Sequence, residues 1–372
     1  MSSTDKTALY YAAVISLGGF LFGFDAAVIS GVVGFVTPLF DLNEAQIGLV
    51  VSAPSLAAII AALTVGPTAD QVGRKKVMLV LALLYTISAL ASSIAPDVTT
   101  LVAARFVGGL AFGTLMLAPI YIAEIAPARL RGRMVSVNQL NIVVGFSAAY
   151  FANYFLLNAS QSGAAWVAAV GLDEHAWRWM LGLEAVPAAS YFFLMLLVPE
   201  SPRWLVLHGQ PEKARRILER ITPAADVEKL LQEITSTAAG ATASLWNRVK
   251  QLLRPELRLV LLVGFIVGIA QQASGINSVY FYAPTIFEQS GVGTNAAFMQ
   301  ATYIGIINVV FTIIAMLTVD RFGRKPLLLL GLLGVFVSMS ITAYGFHSAS
   351  YEMPPERAAD IAERLGTPEL AV

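Results

Sequence analysis

The sequence predicts an all-α protein that lies in a membrane. Hydrophobic residues make up 57% of the 372-residue chain and charged residues only 13%, whereas soluble domains carry about 25% charged residues. The mean hydropathy is +0.70. Nine apolar runs are each long enough to cross a bilayer as a helix, which takes about 20 residues. Because lipid offers no hydrogen-bond partner to the backbone, these runs are predicted to be helical.

The nine predicted spans are separated by short polar loops, with one exception. They cover 9–33, 46–69, 77–95, 98–122, 134–157, 177–198, 259–283, 298–319 and 326–347. Strands of a membrane barrel would instead give alternating segments of about 10 residues, half as long as these runs. The exception is the long loop between spans six and seven, where 211–220 and 227–234 have the pattern of short amphipathic helices.

Basic residues predict the orientation of the chain. Twenty of the 24 lysines and arginines lie before span one or in the loops that follow spans two, four, six and eight. Loops rich in lysine and arginine stay in the cytoplasm. The N-terminus is therefore expected in the cytoplasm of a multi-pass protein of the plasma or inner membrane. Span nine then runs outwards, and the polar tail from residue 348 is expected outside.

An internal repeat divides the chain into two related parts. Asp70 to Lys75 reads DQVGRK after span two, and Asp320 to Lys325 reads DRFGRK after span eight, 250 residues later. Duplicated halves are common in secondary transporters. The sequence therefore predicts a duplicated architecture whose second part holds three spans.

Several classes of function are disfavoured by composition. The chain has no cysteine, and its three histidines, His175, His208 and His347, are far apart. This disfavours a zinc site, a thiol nucleophile and a disulfide framework. A formal net charge of zero gives no bulk attraction for nucleic acid. No nucleophile–base pair or phosphate-binding loop is evident, so neither an enzyme nor a cofactor is predicted.

A series of motifs then resembles one family of transporters. They occur in order in spans one, four, six and seven, at Gly18 to Asp25, Val28 to Gly31, Arg105 to Gly109, Pro119 to Glu124, Pro199 to Arg203, Gln271 to Asn277 and Tyr280 to Pro284. Together with the repeated loop motif they resemble the sugar porter branch of the major facilitator superfamily. That branch includes proton–sugar symporters and passive glucose facilitators.

The resemblance implies a major facilitator fold with a six-helix N-terminal bundle and an incomplete, three-helix C-terminal bundle. The expected domains are 1–198 for the first bundle, 199–258 for a cytoplasmic linker, 259–347 for the partial bundle and 348–372 for the tail. The family has twelve spans, so spans ten to twelve are missing and the chain is expected to be C-terminally truncated. Gln71 also departs from the family, which usually has arginine there.

Three charged residues lie inside spans and are candidates for proton coupling. Asp25, Arg105 and Glu184 fall about 10–12 Å below the outer ends of their spans at 1.5 Å per residue. A buried carboxylate releases its cation when it is protonated, which can couple a proton to a conformational change. The alternative is a static ion pair that joins spans one and four. In facilitators of the resembled family an uncharged residue replaces the acid, so Asp25 favours symport.

Five carboxamides inside the spans are candidates for sugar binding: Gln139, Gln271, Gln272, Asn277 and Asn308. An amide both donates and accepts hydrogen bonds, as neighbouring sugar hydroxyls require. Gly275 allows local unwinding, so that Gln271 and Asn277 can face one cavity. The alternative is that the amides join helices together. The resemblance favours the binding site. Aromatic faces for the sugar ring could come from Phe24, Trp177, Tyr280, Phe281 and Tyr282, although ordinary packing is the favoured role for any single one of them.

Charges of alternating sign mark the inner ends of the spans. The resemblance implies that they form a cytoplasmic latch of Asp70, Arg74, Glu124, Arg131, Glu200, Arg203, Asp320 and Arg324. The alternative is ordinary solvated anchoring at the membrane face.

The sequence thus predicts a secondary transporter that moves a monosaccharide or related polyol by alternating access, coupled to protons. Its expected partners are the sugar, protons and the lipid bilayer. A passive facilitator and a non-transporting sensor or remnant are the alternatives.

Overall fold

The computed structural model describes residues 3–127, 129–238 and 254–348. Within these ranges nine helical segments are long and apolar enough to cross a membrane, as the sequence predicts. The helices of the nine spans are, in order, Ser3–Leu39; Glu44–Val72; Arg74–Ser93; Val98–Ala111 with Thr114–Ile125; Arg131–Ser160; Ala176–Leu183 with Ala185–Leu197; Arg258–Ala273 with Ile276–Phe281; Thr294–Phe322; and Arg324–Ser348. The all-α fold class is confirmed.

Shorter helices connect the spans. They are Ala165–Ala169, Pro202–Leu207, Pro211–Ile221, Ala224–Ala238, the single 3₁₀ turn Pro255–Leu257 and Ala283–Gln289. Both amphipathic segments predicted in the long loop are helical, and the second is longer than predicted. The predicted tail lies outside the described residues from 349 onwards, as does the linker segment 239–253.

Span one begins six residues earlier than predicted because its polar first turns are packed against protein. Ala8 and Ala12 are buried, and Asp5 is buried in an ion pair with Arg129. A hydropathy pattern ends where polar residues begin, but a helix continues as long as its backbone and side chains find partners. The result is a helix of 37 residues.

The first six spans pack through small residues. A Cβ atom on Gly23 of span one would overlap the carbonyl oxygen of Ile142 in span five, and one on Gly109 of span four would overlap the carbonyl oxygen of Pro54 in span two. Helices in lipid associate through such close backbone approaches, because apolar burial drives little association there. Glycine is therefore required at these two crossings.

Span one separates two buried apolar clusters. Its residues up to Leu21 belong to the first cluster, and those from Phe24 to Val36 belong to the second. Outward-facing side chains such as Leu63 and Phe193 are 73% and 65% exposed. Large apolar side chains on the outside of a helical bundle fit a lipid environment rather than water. Asp25 therefore sits where the two clusters meet, deep inside an apolar surrounding.

The described residues fall into two compact units, one up to Met316 and one from Leu317 onwards. Each unit contains one copy of the repeated loop motif. In the first, Gly73 takes a φ of 111° between spans two and three, and its amide donates to the carbonyl of Ala69. In the second, Gly323 takes a φ of 81° and its amide donates to Val319. Glycine adopts such left-handed conformations without steric cost, so both copies build the same helix-to-helix turn.

Candidate functional site

Asp25 and Arg105 form an ion pair inside the first six spans. The Arg105 Nη1 atom donates to Asp25 Oδ1 at 3.2 Å, and its Nε donates to the carbonyl of Val50 at 3.2 Å. Both side chains are at most 4% exposed. The second oxygen, Asp25 Oδ2, has no hydrogen-bond partner among the described residues. The structure therefore brings together two of the three charged residues predicted from the sequence.

Glu184 lies at a break in span six. The two helices of the span end and begin on either side of it, and Pro187 explains the break because proline has no amide hydrogen to donate to the carbonyl of Leu183. Glu184 is buried, and its Oε1 has no hydrogen-bond partner among the described residues. It interacts electrostatically with both Asp25 and Arg105. Asp25 pairs directly with the guanidinium, while Glu184 lies near it without a direct ion pair to it among the described residues.

Buried hydroxyls surround this pair of acids, and the sequence analysis missed them. Tyr85 Oη lies 3.3 Å from Thr114 Oγ1, which donates to the carbonyl of Gly18 at 3.1 Å. Ser88 Oγ donates to the carbonyl of Ala104 at 2.8 Å. Tyr85 and Ser88 are three residues apart on the buried face of span three. Two polar residues at that spacing in an apolar span could have indicated a polar helix face directed into the protein.

A cavity of about 850 Å³ opens beside the ion pair. Arg105 lines it, and the same residue pairs with Asp25 through its guanidinium. All five predicted amides line the same cavity: Gln139, Gln271, Gln272, Asn277 and Asn308. The structure therefore gathers amides from spans five, seven and eight around one space.

The amides of span seven reach this cavity through a break in the helix. Gly275 takes a φ of 74° between Arg258–Ala273 and Ile276–Phe281. Across the break, Asn277 Nδ2 donates to Gln272 Oε1 at 2.8 Å. Because φ is positive at Gly275, a residue with a side chain would be strained there. The local unwinding predicted at Gly275 is present.

Two of the five aromatic candidates line the cavity, and their role towards a sugar stays a prediction. Tyr280 and Phe281 line the cavity, and the Tyr150 hydroxyl holds the backbone there by donating to the carbonyl of Tyr280 at 2.7 Å. Phe24 and Trp177 are packed in the core instead, and Tyr282 does not line the cavity. Aromatic walls that the sequence analysis missed come from Phe22, Phe112 and Phe146.

A second charged cluster lies at the predicted inner ends of the spans. Arg74 pairs with Asp70 at 2.8 Å and with Glu124 at 3.1 Å. Glu200 accepts hydrogen bonds from the backbone amides of Arg74 at 2.9 Å and of Lys75 at 3.2 Å. It therefore caps the first turn of span three, where a carboxylate is stabilised by the free amides and the helix dipole.

The other residues of the predicted latch are placed less closely. Arg131 and Arg203 line a cavity of about 330 Å³ together with Glu124. Arg324 is exposed at the start of span nine, within the second unit. The side chain of Asp320 lies outside the described residues.

Comparisons with known proteins agree with this architecture. The family model for sugar (and other) transporters matches residues 11–354. The arabinose-proton symporter of Bacillus subtilis is 37% identical over 338 residues, which are 90% of this chain and 70% of that protein. The D-xylose-proton symporter of Escherichia coli is 35% identical over 362 residues, with 90% of this chain and 71% of that protein covered.

Solved structures of the E. coli xylose transporter XylE have the same fold. A partially occluded inward open conformation matches with a TM-score of 0.78 and 32% identity, and covers 98% of this chain and 83% of that one. A complex of the proton:xylose symporter with 6-bromo-6-deoxy-D-glucose matches with a TM-score of 0.74 and 34% identity, over 87% of this chain and 71% of that one. The chain therefore belongs to the sugar porter family of the major facilitator superfamily.

Proposed function

We propose that the chain carries a monosaccharide across the membrane together with a proton, through the cavity lined by the five amides. The single observation that carries this proposal is the position of Arg105. Arg105 lines the cavity, and its guanidinium pairs with Asp25. A change in the charge of Asp25 therefore alters the interactions of Arg105, which is part of the cavity wall. The names of the related arabinose and xylose symporters support the same assignment.

In the proposed coupling step, one proton moves on and off the pair of acids. Two carboxylates beside one guanidinium would leave a net negative charge in an apolar surrounding, which is costly unless a proton neutralises it. With one proton bound, Arg105 can pair with Asp25 or with Glu184. Protonation of Asp25 removes the attraction that holds Arg105. The guanidinium is then free to turn towards Glu184, and the cavity wall changes.

In the proposed binding step, the amides make hydrogen bonds to the sugar hydroxyls. Asn277 and Gln272 already hold each other across the break at Gly275, so their donors and acceptors are oriented before a sugar arrives. Tyr280 and Phe281 offer flat apolar faces nearby. A pocket with an apolar wall and a few oriented polar groups is typical of small-molecule sites.

The cytoplasmic cluster is proposed to hold the inner ends of the spans together. The Arg74 pairs join the end of span two, the start of span three and span four, while Glu200 ties span six to the same turn. We assign this face, and with it the N-terminus, to the cytoplasm from the distribution of lysine and arginine. The division into a six-span bundle, a linker and a three-span part is proposed on the same sequence grounds.

Uptake by proteoliposomes tests the proposal against its alternatives. The purified chain is reconstituted, and entry of labelled D-xylose, L-arabinose and D-glucose is followed with and without an inwardly directed proton gradient. Symport predicts accumulation above equilibrium that a protonophore abolishes. Entry that only equalises the two sides, with no response to the gradient, would establish a passive facilitator. Sugar binding without entry would favour the sensor.

A further inference from the structure

A basic groove lies outside the proposed transport path, where span three meets the short helix Pro211–Ile221. The groove has a volume of about 580 Å³. Its cations come from two separate elements of the chain: Lys75 and Lys76 from span three, and Lys213, Arg216 and Arg220 from the short helix. We call these five residues and the space between them the basic groove.

Helical spacing directs the three cations of the short helix into the groove. Lys213, Arg216 and Arg220 are separated by three and four residues, so they share one face of the helix. Arg215 lies on another face and pairs with Glu228 of the following helix. One cation of this helix is thus neutralised by its neighbour, while three converge on the groove.

The negative charge in the groove is already engaged. Glu200 is the one carboxylate that lines it among the described residues. Its oxygens accept hydrogen bonds from the amides of Arg74, Lys75 and Ser201. No described carboxylate lies within ion-pairing distance of Lys76, Lys213, Arg216 or Arg220. A concave surface with several cations and one satisfied carboxylate attracts anions, and phosphate is an anion that lysine and arginine bind through strong charge-assisted hydrogen bonds.

Exposed apolar side chains of spans three and six lie next to the lysines of the groove. The Lys75 ammonium donates to the carbonyl of Leu196 at 2.7 Å, and Leu196 itself is exposed on span six. On span three, Val80 and Leu83 are exposed four and seven residues after Lys76, on the same helix face. A phosphate bound by Lys75 and Lys76 would therefore be near exposed apolar side chains that fit acyl chains.

We propose that the basic groove binds the phosphate of an anionic phospholipid, whose acyl chains lie on the apolar surface of spans three and six. Juxtamembrane clusters of lysine and arginine attract anionic lipids through their charge. Here the lysines and arginines line a concave groove beside an apolar surface. The site therefore selects a molecule that has both a negatively charged group and a hydrophobic part. Trp204 also lines the groove, and its indole donates a hydrogen bond to the carbonyl of Asp70 at 3.0 Å.

Native mass spectrometry of the purified chain in detergent tests this site. The chain is titrated with palmitoyl-oleoyl-phosphatidylglycerol and with phosphatidylcholine of the same acyl chains. We expect a clear preference for phosphatidylglycerol. The triple variant Lys213→Gln, Arg216→Gln, Arg220→Gln should bind phosphatidylglycerol roughly 100-fold more weakly and lose the preference. Equal binding of phosphatidylglycerol by the triple variant and the wild type would overturn the proposal.

A matched control and a competitor separate this site from general charge effects. The variant Arg133→Gln, Lys229→Gln, Arg254→Gln removes three exposed cations that do not line the groove, and it should keep the preference. Loss of the preference in this control would count against a specific groove. sn-Glycerol 3-phosphate carries the phosphate without acyl chains and should fail to displace the lipid. Displacement at equal concentration would assign the groove to a soluble phosphate compound instead.

A single substitution on span three guards against misfolding of the triple variant. Lys76→Gln leaves the short helix intact and should weaken phosphatidylglycerol binding by about 5-fold. Unchanged binding in this variant, together with a folded triple variant that also binds normally, would exclude the groove. Thermal unfolding of each variant reports whether the fold is retained.

Discussion

The protein contains two arginine sites of similar composition in different surroundings. Inside the membrane, Arg105 and Asp25 are 3% and 4% exposed. At the proposed inner face, Arg74 is 7% exposed, while its partners Glu124 and Asp70 are 9% and 53% exposed. At the interior site Arg105 pairs with Asp25 and lies near Glu184. At the inner face Arg74 pairs with both Glu124 and Asp70. The two sites differ in whether water can replace a lost partner.

This difference predicts different uses for the two sites. When an interior pair breaks, the remaining charge stays in a medium that solvates it poorly, so the cost is several kcal/mol. A proton on Asp25 changes that cost and can therefore drive a rearrangement. At the membrane face, water reaches Asp70, so its pair with Arg74 contributes about 0–1 kcal/mol. That pair can open and close without a large barrier, whereas Arg74 and Glu124 are nearly buried.

The largest effect is expected when the interior arginine is removed. Arg105→Ala leaves Asp25 and Glu184 buried without a cation, and breaking a buried pair in this way costs about 3–5 kcal/mol. We expect a lower unfolding temperature in detergent and loss of sugar uptake. Arg178→Ala is the matched control, because Arg178 is half-buried at the outer end of span six. Equal unfolding temperatures for the two variants would contradict the distinction between interior and surface sites.

Removal of the interior charge without loss of shape should separate coupling from transport. Asp25→Asn keeps the size of the side chain but cannot exchange a proton. We expect proteoliposomes to lose proton-driven accumulation and to retain exchange of labelled sugar between equal pools. Asp97→Asn, which changes an exposed acid at the start of span four, should leave both activities intact. Accumulation that persists in Asp25→Asn would leave the Asp25–Arg105 pair with a structural role only.

The amides of the cavity provide a neutral counterpart to the two charged sites. Gln271→Ala and Asn277→Ala should each weaken sugar binding by about 1–3 kcal/mol, the cost of leaving hydrogen-bonding groups unpaired. Titration calorimetry with D-xylose measures this change. Asn158→Ala is the control, since Asn158 is an exposed amide near the end of span five that bonds only within its own helix. Normal affinity in both cavity variants would assign these amides to helix packing.

Much of this arrangement was predictable from the sequence because membrane helices are regular. The depth of a residue in a span can be estimated from the rise of about 1.5 Å per residue. This estimate predicted that Asp25 and Arg105 lie at a similar depth in the membrane. The resemblance to sugar porters, rather than helix geometry, favoured one site for Gln139 and Asn308, and their role in binding stays a prediction. Gly275 marked the break in span seven because positive φ angles favour glycine.

The sequence did not predict which aromatic side chains face the cavity, because this depends on how each helix is rotated about its axis. Phe24 and Trp177 lie in the core while Phe22 and Phe146 face the cavity, and residues on one helix differ in this way only through the packing of neighbouring helices. Hydrophobicity does not reveal that rotation, because in a membrane both the core and the lipid face are apolar. The basic groove was missed for a similar reason. The short helix was predicted, but its contact with span three joins residues that are far apart in the chain.

The smallest effects should appear at the membrane face, where two acids hold the same arginine with different exposure. Asp70 is four residues before Arg74 and is half exposed, whereas Glu124 comes from another span and is almost buried. Asp70→Asn should lower the free energy of unfolding by about 0.3–0.5 kcal/mol. Glu124→Gln should cost about 1 kcal/mol, because hydrogen bonds to a charged acceptor are stronger than those to a neutral one.

The salt dependence of unfolding distinguishes the Asp70→Asn variant from the Glu124→Gln variant. At 1 M ionic strength the Debye length falls to about 3 Å, which screens exposed charges and affects buried pairs much less. Thermal unfolding of both variants is therefore measured in low and high NaCl. The effect of Asp70→Asn should vanish in high salt, while that of Glu124→Gln should persist. If both effects vanish together, burial at this cluster does not protect the Arg74–Glu124 pair, and the whole cluster behaves as a solvated surface.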